Sequence, residues 1–129
     1  MKSPKITAKK VLVVEDEPSI RGICQRVLSG KGFEVDLADN GKSAQALINQ
    51  KEYDFFLVDI RTPAMNGIEF YMWLKSVKPH LAQRVIFTTG DLMRDDIRSF
   101  LEKTRRPYLP KPFTPGELLA AVNKAVEAT

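Results

Sequence analysis

The sequence predicts an α/β fold, a doubly wound five-stranded parallel sheet with helices on both faces. Three observations carry this reading. Short apolar runs alternate with segments of helical period along the whole chain, without internal repeats or low-complexity tracts. Three of those runs are continuously apolar, as strands of a parallel sheet covered on both faces should be. Polar groups follow the runs directly, at the carboxyl ends of strands where open α/β sheets place their ligand sites.

Val11-Leu-Val-Val14 opens the series and should be a central strand. The helix after it shows Ile20, Ile23, Cys24, Val27 and Leu28 on one face, the period of about 3.6 residues of an amphipathic helix. Phe33-Glu-Val-Asp-Leu37 alternates apolar and charged residues, which suits an edge strand with one face open to water. Ala44, Leu47 and Ile48 mark the second helix. Phe55-Phe-Leu-Val58 is the second central run, and Phe70, Tyr71 and Leu74 mark the third helix, with Met72 and Trp73 as partial core. His80, after Pro79, reads as a solvated side chain in a loop.

Val85-Ile-Phe87 is the third central run, and Met93, Ile97, Phe100 and Leu101 define the apolar face of the fourth helix. Arg105-Arg106 reads as a solvated turn. Tyr108-Leu109-Pro110 is short and ends in proline, whose missing N–H is tolerated at a sheet margin, so it is the other edge. Thr114-Pro115-Gly116-Glu117 is a capping box with proline at the first helical position. It starts a fifth helix whose buried face is Leu118, Ala121, Val122, Ala125 and Val126. Strict alternation of five strands and five helices implies right-handed crossovers.

The chain's 129 residues are enough for one core and too few for two. The net charge of +4 comes from the start: Lys2, Lys5, Lys9 and Lys10 stand in a stretch without acids, leaving sixteen bases against sixteen acids from 11 to 129. We therefore read 1–9 as a basic tail and 10–129 as the domain, with no direct nucleic-acid contact expected. Cys24 is the single cysteine, which excludes an internal disulfide and a thiolate metal cluster and fits a reducing compartment, the cytoplasm by default. No apolar run reaches the ~18–20 residues of a membrane span.

Four strand ends deliver chemistry to one rim: Glu15 and Asp16, Asp59, Thr88 and Thr89, and Lys111. A lone acid at a strand end is commonly a backbone cap, but three acids together are not. Two carboxylates about 4 Å apart repel by roughly 4 kcal/mol at an effective dielectric near 20, so such a cluster asks for a cation. Oxygen ligands without His or Cys select a hard ion such as Mg²⁺. Asp59 stands between a central strand and a loop, a position that suits a nucleophile forming an aspartyl phosphate. Thr89 and Lys111 are available to meet phosphoryl oxygens.

Val13-Val14-Glu15-Asp16-Glu17-Pro18, Asp59 with Pro63 and Gly67, Thr89-Gly90, and Lys111-Pro112-Phe113 together resemble the signature blocks of bacterial response-regulator receiver domains. The resemblance runs from about residue 10 to residue 127. It implies a flavodoxin-like sheet of order 2-1-3-4-5 and a two-component signalling switch in which Asp59 takes phosphoryl from the phosphohistidine of a histidine kinase or phosphotransfer domain. It implies Mg²⁺ or Mn²⁺ held by Asp16, Asp59 and the backbone carbonyl of Arg61, with Glu15 assisting through water. It further implies that Thr89 and Lys111 bind the phosphoryl oxygens and that Tyr108 is the switching aromatic, turning inward when Thr89 moves. A cis Lys111-Pro112 peptide, a role for Arg61 and Asp91 in phosphoryl lifetime, and an output surface on the fourth helix, fifth strand and fifth helix complete the implication. Two residues depart from the pattern: Glu15 where many members have Asp, and Thr62 in place of a methionine before Pro63.

The competing reading is a phosphatase or dehalogenase-like hydrolase with Asp59 as nucleophile, but that motif wants a second Asp where Arg61 stands. Flavodoxin-like cofactor binding conflicts with Glu15-Asp16-Glu17, which would repel a phosphate after the first strand. The chain ends after its last helix, so no output domain is expected within it. A stand-alone regulator, monomeric or weakly dimeric with an unknown target, and the terminal receiver of a hybrid histidine kinase both fit.

Overall fold

The computed structural model describes residues 9–128, so the tail expected over 1–9 lies, apart from Lys9, outside the described residues. In chain order the elements are β1 (Lys10–Val14), α1 (Pro18–Ser29), β2 (Glu34–Ala38), α2 (Gly41–Ile48), β3 (Phe55–Asp59), α3 (Gly67–Val77), α4 (Pro79–Ala82), β4 (Val85–Thr89), α5 (Asp95–Thr104), β5 (Tyr108–Pro110) and α6 (Pro115–Ala128). All strand pairings are parallel and the order is β2-β1-β3-β4-β5. The continuous apolar runs are the three inner strands, and the alternating and proline-ended runs are the two edges.

Side-chain alternation along the strands divides the interior in two. Leu12, Val14, Phe56, Val58 and Phe87 join the core under α2, α3 and α5. Val11, Val13, Phe55, Leu57 and Ile86 join the core under α1 and α6, with Cys24, Leu28, Leu118 and Val122. On the first face three rings meet edge-on: Phe87 lies 5.5 Å from Tyr71 and 5.3 Å from Phe100, which ties α3 and α5 to the inner strand β4. The predicted capping box of the last helix is present, Thr114 and Glu117 each accepting the other's backbone N–H. No helix among the described residues is long and apolar enough to cross a membrane.

Four expectations are corrected, the first being Met72, expected with Trp73 in the partial core but 52% exposed on α3. The described residues form six helices, because Pro79–Ala82 makes a single turn where a loop was expected; His80 is exposed on it, while Leu81 and Ala82 reach the core. A one-turn helix shows no sequence period, and Pro79 at its first position is its one local signal. Met93 is 88% exposed and precedes α5, although its spacing to Ile97 matched the buried face. Asp95 and Asp96 occupy the first turn, where the helix dipole favours acids, and mark the true start. Arg106 is partly buried and hydrogen-bonded where a solvated turn was expected.

Candidate functional site

Strand register assembles the acidic rim. Val14 pairs with Val58, so Glu15 and Asp59, each one residue further on, leave adjacent strands side by side. One carboxylate oxygen from each of Glu15, Asp16 and Asp59 falls within 4.8 Å of the others. Thr89 pairs with Pro110, which places Lys111 next along the same rim. Its Nζ lies 2.8 Å from Glu15 Oε1 and 3.1 Å from Asp59 Oδ2.

Glu15 is 3% and Asp59 5% exposed, while Asp16 is open to solvent. The remaining acid oxygens are held by the backbone: Asp59 Oδ1 accepts the Arg61 N–H at 3.2 Å and Glu15 Oε2 the Glu17 N–H at 3.1 Å. Burial pushes both the Glu15 and Asp59 carboxyls above their ordinary values, with the Lys111 ammonium pulling the other way. Burial also opposes the charge on Lys111, but its hydrogen bonds and attraction to Glu15 and Asp59 outweigh this and hold its pKa above the usual value. Three acids against one ammonium leave a locally negative pocket built only of oxygen donors, and that donor set suits a hard divalent cation.

The loop after β3 closes on this pocket through Gly67. A Cβ there would sit 2.4 Å from the Asp59 carbonyl oxygen and 2.8 Å from Ile60 Cα, so the loop can return only over a bare α-carbon. Gly67 N–H donates to the Ile60 carbonyl at 2.9 Å, and Asn66 with Glu69 forms a capping box that starts α3 at this point. Asp59 is thereby fixed between strand and helix.

Thr89 is buried, 1% exposed, at the end of β4, and its hydroxyl accepts the Asp91 N–H at 3.0 Å. It shares the rim with the acids but makes no hydrogen bond to Asp59 among the described residues. Tyr108 stands at the other end of its short strand, 47% exposed. Arg61 and Asp91 form an ion pair of 3.1 Å that links the loops after β3 and β4. The Lys111-Pro112 peptide is cis.

Sequence reasoning passed over Arg21 and met Thr62 only as a departure from the pattern. Arg21 donates through Nη1 to the carbonyls of Glu15 at 2.9 Å and Asp16 at 3.0 Å, bracing the segment that carries both acids. A cation near a helix N-terminus opposes the helix dipole, and that mismatch is the signal that could have found it. Thr62 is buried and donates to the Met65 carbonyl at 2.8 Å, an internal tie of the loop after β3.

The sequence matches the family model of the response regulator receiver domain over residues 11–123. It is 34% identical over 116 residues to the DNA-binding transcriptional regulator NtrC of Salmonella typhimurium, covering 90% of this chain and 24% of that protein. Among curated relatives it matches, the share of their length that the chain spans runs from 24% to 53%. Of solved structures, the chemotaxis response regulator CheY4 of Vibrio cholerae is similar with a TM-score of 0.82 and 26% identity, over 92% of this chain and 99% of that one. The response regulator TrrA of Thermotoga maritima, in complex with Mg(2+)-BeF, is similar with a TM-score of 0.77 and 31% identity, over 91% of this chain and 98% of that one.

Proposed function

The chain belongs to the response regulator receiver family, and on that premise we propose that Asp59 accepts a phosphoryl group from a partner's phosphohistidine and that the acyl phosphate resets the surface of α5, β5 and α6. Receiver domains are regulatory phosphoacceptor modules of two-component systems and not enzymes with a free substrate of their own. The observation that carries the finer reading is the meeting of Glu15, Asp16 and Asp59 within 4.8 Å, with Lys111 bridging two of them.

In the proposed transfer an Asp59 carboxylate oxygen attacks phosphorus in line. The new P–O bond forms as the P–N bond to the donor imidazole breaks, and the departing imidazole keeps that electron pair and takes a proton. Asp16, Asp59 and the Arg61 carbonyl would hold Mg²⁺ or Mn²⁺, with Glu15 acting through water, and such an ion supplies charge neutralisation at the phosphoryl oxygens when bound. The Mg(2+)-BeF complex of TrrA supports this assignment by likeness. Lys111 already touches Asp59 at 3.1 Å and is placed to pair with a transferred phosphoryl oxygen. Thr89 would exchange its bond from the Asp91 N–H for another of those oxygens, and Tyr108, half-exposed at rest, would turn inward behind it.

The implied partners are a histidine kinase or phosphotransfer domain and an unidentified target protein; the receiver itself makes no nucleic-acid contact in this reading. We place it in the cytoplasm as a monomer or weak dimer, with 1–9 as a basic tail and 10–129 as the working domain. Incubation with acetyl phosphate or a phosphorylated phosphotransfer domain, with Mg²⁺, should yield one aspartyl phosphate that peptide mapping assigns to Asp59. Undiminished labelling of the Asp59→Asn protein overturns the assignment.

A further inference from the structure

The acidic rim lies at the carboxyl ends of the strands, and toward their opposite ends lies a groove whose charged lining is wholly basic. Beside the first residues of β3 and β5 and the later turns of α6 lies an open groove of about 650 Å³. Arg84, Arg105, Arg106 and Lys124 line it, and no carboxylate does. None of these four cations forms an ion pair among the described residues. The even balance of bases and acids from 11 to 129 conceals this segregation, which exists only in space.

Arg106 is the most constrained of the four. Its Nε donates to the Val85 carbonyl at 3.1 Å and its Nη1 to Gln83 Oε1 at 3.4 Å, which holds the guanidinium in the groove's lining with N–H donors to spare. It is partly desolvated, and burial lowers its pKa with no carboxylate to offset the cost. Compensation of helix carbonyls accounts for the sign of Arg105, which caps α5. It does not account for Arg106, which is aimed at a strand carbonyl, or for the lack of any acid across four cations.

Apart from Gln83 and the four cations the lining is apolar: Phe55, Pro107, Tyr108, Ala121 and Ala125 give it a floor with one half-exposed aromatic ring. An anion alone would need no such floor, and an apolar body alone would not need the cations. Guanidinium forks match phosphate oxygens, and an aromatic face accepts a nucleobase. The volume of about 650 Å³ lies within the range of small-molecule sites. We propose that this groove binds a nucleoside polyphosphate, its phosphates on Arg84, Arg106 and Lys124 and its base against Tyr108. The site lies away from Asp59, toward the other end of the sheet, and shares Tyr108 with the proposed switch, so the titration is made on the unphosphorylated chain.

The test is titration of the whole chain with ATP, GTP, adenosine and tripolyphosphate, followed by calorimetry and amide NMR, with EDTA present to keep divalent ions off the acidic rim. ATP or GTP should saturate, with shifts at Gln83, Arg84, Arg105 to Tyr108 and Lys124. Adenosine and tripolyphosphate should each bind more weakly. Arg84→Gln and Arg106→Gln should each weaken binding roughly tenfold, the loss of one charge-assisted contact. Lys75→Gln, a charge loss on α3 outside the groove, should leave it unchanged. Thermal melts check folding, and Lys124→Gln, at an exposed position, serves if Arg106→Gln does not fold. The proposal is overturned by no saturation into the millimolar range, by shifts confined to the acidic rim or the lysine tail, or by tripolyphosphate binding as tightly as ATP. Tight binding of an acidic peptide or an oligonucleotide to the same residues, with free nucleotides inert, overturns it as well.

Discussion

Replacing Lys111 with methionine isolates the electrostatics of the acidic rim. Lys111 is the cation that touches both Glu15 and Asp59, and their oxygens lie within 4.8 Å of each other. Two unit charges at that spacing repel by about 3 kcal/mol at an effective dielectric near 20. Loss of two charge-assisted hydrogen bonds adds to this, and relief of the ammonium's own desolvation subtracts from it. We expect a net cost of about 3 kcal/mol at neutral pH, the lower end for removing one partner of a buried pair. For a domain of this size that is a fall in Tm of about 10 °C. The pH dependence has a definite sign. Both carboxyls have folded values above their reference values of 4.5 and 3.8, so they bind protons more readily folded than unfolded. Their contribution is therefore fully present below the unfolded values and lost as pH rises through the raised folded ones. Without Lys111 the folded values rise further, so the deficit against the parent should be full at about pH 8 and narrow toward about pH 5. Urea unfolding in EDTA at both pH values measures it. A variant as stable as the parent at the higher pH, or a deficit that widens on acidification, would refute the reasoning.

Gly67→Ala should cost about 2 kcal/mol or more in urea unfolding, because the atoms its Cβ meets at 2.4 and 2.8 Å are backbone and cannot turn aside. An unchanged midpoint would show that the loop after β3 has slack. Asp16→Asn should weaken Mn²⁺ binding by at least about tenfold in calorimetry while leaving metal-free stability equal or slightly higher, since a like charge near Asp59 is removed. Unaltered Mn²⁺ affinity would remove Asp16 from the ligand set. Tyr53→Phe deletes a 2.6 Å hydrogen bond to Asp36. It should cost about 1 kcal/mol at neutral pH, discounted because Asp36 is partly solvated. That bond, followed by the Lys51 ammonium, holds the Asp36 carboxyl below its usual 3.8 against the opposing effect of burial. The stability it brings is present above the unfolded value and lost as pH falls, so the difference from the parent should close below about pH 4.

The sheet was legible because its strands are short, apolar and punctuated by polar residues: Val11 to Val14, Phe55 to Val58 and Val85 to Phe87 are the inner strands, each lengthened by one or two residues. What escaped was local or purely spatial. Residues 79–82 make one helical turn, too few for a period to emerge. Met93 shared the spacing of a buried face but lies before the first turn of α5, so periodicity without the start signal misled. The meeting of Glu15, Asp59 and Lys111 could be expected, since strand ends in a parallel sheet form one rim. That Lys111 bridges two acids and that Arg21 braces the backbone beneath them depends on rotamers and lies beyond any spacing rule. The basic groove escaped for the same reason, its members being drawn from three separate stretches of chain.

The pair Arg61–Asp91 shows how such a rim could rest in one state and leave it cheaply. Asp59 anchors the backbone N–H of Arg61, and Thr89 anchors that of Asp91, so the two side chains join the loop after Asp59 to the loop after the buried threonine. The joint is solvated, with Arg61 at 62% and Asp91 at 27% side-chain exposure, and exposed pairs contribute about 0–1 kcal/mol. It can therefore hold the loops together at rest without resisting their separation. Asp91→Ala cuts the ion pair but keeps the backbone bond to Thr89, because that donor belongs to the main chain. Stability should then move by no more than about 0.5 kcal/mol. If Asp59 takes the label as proposed, the rate at which an acetyl-phosphate-loaded protein loses it should change several-fold, since the loops after Asp59 and Thr89 are no longer joined by this pair. If that rate is unchanged while urea unfolding shifts by more than about 1 kcal/mol, the pair is a structural strut and the two loops are not linked through it.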